Sequence, residues 1–307
     1  MATKNWDVTD IPDLTGKTII VTGGNSGLGF EAVKALSSKG AEVILACRST
    51  KKGKLAKNKI TETQPNSNIT VMELDLADLK SIRNFVELFK QKHTQLDILI
   101  NNAGIMMVPY GLTKDGFENQ IGTNHLGHFA LTGLLLDLLK NTPKSRVVSV
   151  TSMAHKAGSM DFNNLLFNKG VGYTPFKAYG RSKLCNLLLT YELQRFFETN
   201  KIDSSALVAH PGVSDTNLFV HTAPKWLMTA LRPLFTRLVQ PANMGALPEL
   251  RAATDPTAKG ADFFGPNGKR EMKGFPVLVQ SAKQANSLED AKKLWKASEK
   301  LTGVKFE

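Results

Sequence analysis

The sequence predicts an α/β fold class, a doubly wound parallel sheet. Three observations carry this: short apolar, β-branched runs, helical-period stretches between them, and a glycine-rich turn joining the first run to the first helical stretch. Strands covered on both faces read as nearly continuous apolar runs. Their alternation with helices implies right-handed crossovers and a parallel order.

The elements follow in chain order. Thr18–Val21 is the first strand, and Thr22-Gly23-Gly24-Asn25-Ser26-Gly27-Leu28-Gly29 turns it into a helix over Gly27–Ser38. Glu42–Ala46 and Ile69–Leu74 are the next strands, separated by a helix over Lys51–Glu62. Leu79–Lys92 is helical, Leu96–Asn101 a strand, and Asn119–Leu139 one long helix. Arg146–Thr151 and Ser205–Ala209 are strands on either side of a helix over Ala178–Phe197, and Pro276–Gln280 supplies a last strand. The stretch Asn217–Arg251 breaks the alternation, with Pro224, Pro233, Pro241 and Pro248. Leu227, Leu231, Leu234 and Leu238 in it share a helical face, which predicts a small helical substrate cap. A membrane-surface helix is the alternative, because Lys225, Arg232 and Arg237 flank that apolar side. The chain is thus expected to be a single domain over 1–307 with an inserted cap at 217–251.

At 307 residues with 42% hydrophobic content, the chain can bury a sizeable core. Met1–Gly16 is polar, which predicts no secretory signal, and no run approaches the length of a membrane span. The two cysteines, Cys47 and Cys185, argue against a disulfide framework and suit a reducing, cytoplasmic location. Cys47 reads as a small core residue, and Cys185 as core or pocket lining. The net charge of +12 raises nucleic acid as a partner, but no basic–aromatic interleaving or finger motif accompanies it. Arg48, Lys51, Lys52, Lys54, Lys57 and Lys59 form one local basic run. A solvated helix face explains most of it.

The glycine turn lies between a strand and a helix, where backbone amides and the helix N-terminus suit a pyrophosphate. Its spacing places Gly23, Gly27 and Gly29 as G-x-x-x-G-x-G, with Asn25, Ser26 and Leu28 between them. At the end of the second strand, where an acid would hold a ribose hydroxyl, stands Arg48. A guanidinium there suits a 2′-phosphate, so NADP(H) is the expected cofactor. Downstream, Tyr179 and Lys183 are four apart on a predicted helix, which puts the ammonium beneath the phenol. A cation so placed would lower the phenol pKa and fit it for proton transfer.

Together these motifs resemble the short-chain dehydrogenase/reductase family over nearly the whole chain. Further residues carry the resemblance: Asp75-Leu76, Asn101-Asn102-Ala103-Gly104, Asn124, Ser152 and Pro211-Gly212. The resemblance implies a Rossmann-type sheet and a hydride exchanged between NADP(H) and a carbonyl or alcohol substrate. It implies that Tyr179 is the general acid, Ser152 its companion on the carbonyl oxygen, and Lys183 the partner of both phenol and ribose. Asn124 would hold a water that links Lys183 to solvent. Asp75 and Leu76 would meet the adenine, with Asn102, Ala103 and Gly104 beside the cofactor. Pro211, Gly212 and Val213 would pass the nicotinamide, and Thr216 would reach its carboxamide.

The segment between Ser152 and Tyr179, with His155, Lys156 and Asp161 to Leu165, resembles the retinol-dehydrogenase-like and protochlorophyllide-reductase-like branch, as do Ala46-Cys47-Arg48 and Leu301-Thr302-Gly303. The last segment is most like soluble bacterial members. No N-terminal apolar anchor is read, which weighs against a retinoid substrate. Ser182 to Asn186 resembles tetrapyrrole double-bond reductases, the alternative enzyme reading. An NADP-binding redox sensor without turnover is the non-enzymatic one. His125 and His128 have no third ligand at motif spacing, so no metal is expected. Family members often pair through the helices bearing Asn124 and Tyr179, so a homo-oligomer is an expectation, with neither nucleic-acid partner nor membrane insertion.

Overall fold

The computed structural model describes residues 5–214 and 239–307. Among them, eight strands form one sheet in the order β3-β2-β1-β4-β5-β6-β7-β8. β1 (Thr18–Thr22), β2 (Glu42–Cys47), β3 (Asn68–Glu73), β4 (Ile98–Asn101), β5 (Ser145–Val150) and β6 (Ser204–Ala209) run parallel. β7 (Phe263–Pro266) continues that direction, and β8 (Pro276–Leu278) closes the edge antiparallel to it. The predicted final strand is therefore present but reversed. β7 is an addition that the short Phe-Phe-Gly-Pro segment did not announce.

Alternate residues of each strand feed opposite cores, as a two-sided sheet requires. Ile19, Val21, Ile98, Ile100 and Val148 pack under α1 (Gly27–Ser38) and α2 (Thr50–Thr61). Ile20, Leu99 and Val147 pack against α3 (Leu79–Lys90) and the helices that follow Asn119. The strand order reverses between β1 and β4, and ligands of open α/β sheets bind at such a switch point.

Two expectations need correction. The helix predicted over Asn119–Leu139 is divided into α4 (Asn119–Ile121), a π-turn (Gly122–Leu126), α5 (Gly127–Leu134) and α6 (Leu136–Asn141). The wide turn aims Asn124 inward while Gly127 backs onto the Leu76 carbonyl so closely that a Cβ would overlap it. The second correction concerns the cap. Residues 217–238 lie outside the described residues, and with them Leu227, Leu231, Leu234 and Leu238, as well as Lys225, Arg232 and Arg237. From 242 on, the expected segment belongs to α8 (Ala242–Thr254), which packs on α1 and the sheet. Ala246, Leu247 and Leu250 are buried with Val150 and Ala209, so this helix covers the sheet and not the cleft.

α7 (Pro175–Thr199) carries Tyr179 and Lys183. It starts from the Thr174 cap with Pro175 in its first turn and lies against β6 and α9 (Leu288–Thr302). Most of its residues are buried, because sheet, α9 and the segment after Ser152 cover it on several sides.

Candidate active site

The C-terminal ends of β1, β2, β4 and β5 open onto a cleft of about 390 Å³. Its lining includes Gly23, Asn25, Ser26, Gly27, Leu28, Arg48, Asp75, Leu76, Asn102, Ala103, Gly104, Tyr179, Lys183 and Pro211. All of these are residues that the sequence motifs point to. Sequence reasoning misses Thr22, Cys47, Ile105, Met106, Val108, Thr123 and Thr151, which also face the cleft. Cys47 is thus both core and lining, whereas Cys185 is on the buried face of α7.

The turn is shaped for backbone approach. Gly23 and Gly27 hold φ of +70° and +57°, where a side chain is strained. Ser26 caps α1 without a side-chain hydrogen bond, which leaves the first-turn amides of α1 available. Gly29 does not line the cleft. A Cβ on it would lie 2.5 Å from Asn102 Nδ2 and 2.6 Å from the Gly23 carbonyl, so its bareness lets the helix seat on the turn.

Thr22 ties the first and fourth strand ends together. Its hydroxyl accepts from the amides of Asn102 (3.0 Å) and Ala103 (2.9 Å). His128 donates from Nδ1 to the Asn124 carbonyl at 3.0 Å. Burial pushes His128 down to about 4, so the ring is neutral and its bare Nε2 accepts from the Thr22 hydroxyl at 2.9 Å. Asn102 Nδ2 closes the link by donating to the Thr22 carbonyl at 2.7 Å. His125 faces elsewhere, with Nε2 2.8 Å from the Ser298 hydroxyl. The two imidazoles are therefore structural braces in different places.

Asn124 is wholly buried in the π-turn. Its Oδ1 accepts from the Ile105 amide at 2.8 Å, and Nδ2 donates to the Ile105 carbonyl and the Ser182 hydroxyl. Gly104 brings this amide to the lysine. A Cβ there would stand 3.2 Å from Asn124 Oδ1 and 3.5 Å from Lys183 Nζ. Lys183 Nζ donates to the Val150 carbonyl at 3.0 Å, and it lies 5.8 Å from the Tyr179 ring centroid.

Burial dominates the charge states here. It brings Lys183 down to about 8, against a small upward pull from Glu249. It pushes the Tyr179 phenol up to about 12, although a hydrogen bond with the Ser152 hydroxyl pulls the other way. The expected lowering of the phenol by Lys183 is not the governing effect in this geometry, because the ammonium is turned to Val150 and the phenol is desolvated. Such a phenol stays protonated at neutral pH and can donate a proton.

Gly212 and Val213 lie just beyond Pro211, outside the cleft lining. Gly212 has φ of +64°, and the Val213 amide donates to the Met272 carbonyl at 2.7 Å. Thr216 lies outside the described residues. Glu249 was missed altogether, having been counted in the cap. It is buried on α8, with both carboxylate oxygens lacking hydrogen-bond partners among the described residues, and burial pushes it up to about 8.

Comparison with known proteins shows the family. The short chain dehydrogenase family profile matches residues 17–164. Human retinol dehydrogenase 12 is 40% identical over 294 residues, covering 96% of this chain and 89% of its own. The chloroplastic short-chain dehydrogenase TIC 32 B of Brassica napus is 38% identical over 262 residues, covering 83% and 81%. The crystal structure of an uncharacterized protein from Mycobacterium paratuberculosis is 40% identical, with a TM-score of 0.83 over 99% of this chain and 100% of that one. On its fold, its cleft and these relatives, the chain belongs to the short-chain dehydrogenase/reductase family, in the retinol-dehydrogenase-like branch.

Proposed function

We propose that the chain is an NADP(H)-dependent oxidoreductase acting on a hydrophobic ketone or aldehyde, or the corresponding alcohol. The observation that carries this is that Tyr179 and Lys183 line one end of a cleft whose other end has a glycine turn and Arg48, with Ser152 beside the phenol and Asn124 beside the lysine just behind that lining. Gly23 to Leu28, with the α1 amides, would hold the pyrophosphate. Arg48, exposed at the end of β2, would take the 2′-phosphate, and Asp75 and Leu76 would border the adenine. Pro211, Gly212, Val213 and Thr216 would flank the nicotinamide. When bound, that ring supplies the hydride, and the protein contributes orientation and charge.

On the protein side, the Ser152 hydroxyl lies beside the Tyr179 phenol and pulls its pKa down, so a carbonyl oxygen placed between them would meet two hydroxyl donors. Tyr179 gives its proton to that oxygen as charge develops on it. Lys183 holds positive charge behind the phenol and stabilises the tyrosinate left behind. Asn124, in contact with the Ile105 carbonyl, keeps the lysine pocket open to a water that returns the proton. In the opposite direction the tyrosinate acts as the base.

Ile105, Met106 and Val108 give the cleft an apolar wall, which favours a hydrophobic substrate. The reading of 1–307 as a single domain is part of this proposal, and residues 217–238 of the cap expected at 217–251 lie outside the described residues. Among the described residues no helix is long and apolar enough to cross a membrane, and both cysteines are free and buried, in keeping with a cytoplasmic place.

The test is NADPH consumption over a panel of hydrophobic aldehydes, ketones and steroids, wild type beside Tyr179→Phe. Turnover with at least one carbonyl, reduced about 10²–10⁴-fold in the variant with NADPH affinity retained, is the expected result. A variant that keeps more than a tenth of the rate would remove Tyr179 from the acid role.

A further inference from the structure

Three segments near the Ser152 and Pro211 turns converge on one carboxylate. Lys156, in the 3₁₀ turn Met153–Ala157 that begins directly after Ser152, places Nζ 3.2 Å and 3.3 Å from the two oxygens of Glu271. His210, at the end of β6 and directly before Pro211, places Nε2 3.1 Å from Glu271 Oε2. Glu271 itself belongs to the loop between β7 and β8.

The histidine is held in one orientation. Its Nδ1 accepts from the Gly212 amide at 3.2 Å, so in the neutral ring the proton sits on Nε2, which is 3.1 Å from Glu271 Oε2 without the alignment of a hydrogen bond. The ring is fully buried against Phe263, and Gly265 leaves room for it where any Cβ would collide. Arg270 and Glu271 both adopt left-handed backbone, with φ of 55° and 57°. Non-glycine residues hold that conformation only where surrounding contacts over-determine it. Here the contacts are the paired carboxylate, the Val213 amide on Met272 O, and the Gly274 amide on Gln240 Oε1 at 3.0 Å. Gln240 in turn donates to the Pro211 carbonyl at 2.7 Å. Its contacts with His210 and Lys156 keep Glu271 ionised down to about 2, so the brace carries its charge throughout the working pH range.

We infer that Glu271 is a positioning residue, which braces the Ser152 turn against the Pro211-Gly212-Val213 turn and so fixes how the two turns, leaving the paired strands β5 and β6, sit beside the cleft. The inference rests on the proposed function, since one turn carries the hydroxyl that meets the substrate oxygen and the other borders the nicotinamide. A misplacement of about 1 Å between reacting groups can cost 10²-fold in rate. Neither Lys156 nor Glu271 is needed to bury the core, and both side chains reach solvent.

The experiment compares wild type with Glu271→Ala, Glu271→Gln and Lys156→Met. It measures kcat and KM with NADPH and an active carbonyl, amide exchange over 210–214, and thermal midpoint, with Tyr179→Phe as reference. The expected result is a kcat at least tenfold lower in Glu271→Ala, a smaller loss in Glu271→Gln and Lys156→Met, and NADPH affinity within about threefold of wild type. Exchange should quicken at Gly212 and Val213 while the glycine turn stays protected. Unchanged kcat with unchanged exchange overturns the inference, as does a loss of thermal midpoint in Glu271→Gln that accounts for all lost activity. If wild type turns over no carbonyl yet Glu271→Ala quickens exchange at 210–214 alone, the proposed reaction fails and the brace stands.

Discussion

The Arg181 guanidinium lies 4.1 Å from the Phe167 ring centroid, stacked within a fully buried pocket. It also donates from Nε to the Ser159 carbonyl (3.0 Å) and from Nη1 to those of Asn164 (2.7 Å) and Leu165 (3.0 Å). One side chain, set between Tyr179 and Lys183 in sequence, thus fastens the segment that follows Ser152 onto α7. Hydrogen bonds to charged groups are each worth about 1.5–3 kcal/mol. Arg181→Ala is therefore expected to cost about 3 kcal/mol or more, and Arg181→Lys most of that, because an ammonium cannot form the same fork. Urea denaturation measures it, and an unchanged midpoint in either variant would refute the assignment.

Arg48 makes the cofactor preference testable apart from turnover. NADPH should bind at least tenfold more tightly than NADH, a difference of about 1.4 kcal/mol that one charge-assisted pair can supply. Arg48→Ala should bring the two affinities together, chiefly by weakening NADPH. Isothermal titration that finds equal affinities in wild type, or an undiminished ratio in the variant, would assign the preference elsewhere.

Gly29 offers a steric test of the turn. A methyl group there would press on Asn102 Nδ2 and the Gly23 carbonyl, both already committed to the turn. Gly29→Ala should destabilise by about 1–3 kcal/mol, as overpacking does, and weaken NADPH binding at least tenfold. Full affinity in a variant of normal stability would show that the turn has slack.

Glu249 sets a pH dependence whose sign can be worked out. A carboxyl raised from 4.5 to about 8 on folding binds its proton more tightly in the native state. Its stabilising effect is present at low pH and is lost as pH rises through that window. Lys183 nearby lessens the loss without cancelling it, being itself pushed down to about 8 by burial. Glu249→Gln cannot ionise, so the variant should gain on wild type as pH rises from 4.5 toward 8. Denaturant midpoints that run parallel over this range would mean the carboxylate has a partner.

The strands β1 to β6 were legible because each is an apolar run that a two-sided sheet demands, and the order of motifs led to the cleft lining. What was not legible has physical causes. Phe263–Pro266 is four residues long with Gly265 and Pro266 in it, and pairing with Val208 and Ala209 makes it a strand. α8 contains Pro248, which reads as a break, yet the helix continues because packing on α1 and the sheet outweighs the lost amide. The π-turn has no local signature distinguishing Gly122–Leu126 from ordinary helix. Pairings such as Arg181 with the Ser159 carbonyl, or Glu271 with Lys156 and His210, join residues far apart in sequence. No periodicity encodes them. The expected lowering of the Tyr179 pKa fails for a similar reason, since burial outweighs the four-residue spacing to Lys183, while the protonated phenol that a general acid needs is present.

The wide turn at Gly122–Leu126 has a consequence for how this chain can change length. Removing one residue from it would let the backbone relax into an ordinary helix, a locally favourable outcome. The same deletion would rotate one flank by about 100° against the other and draw it in by about 1.5 Å. Asn124 would then leave the Ile105 loop, or Gly127 would leave the Leu76 carbonyl, since one register cannot satisfy both. Substitutions on the solvent side of α6 cost little, whereas the residue count between Ile121 and Gly127 is fixed. Natural or engineered insertions and deletions belong in other loops.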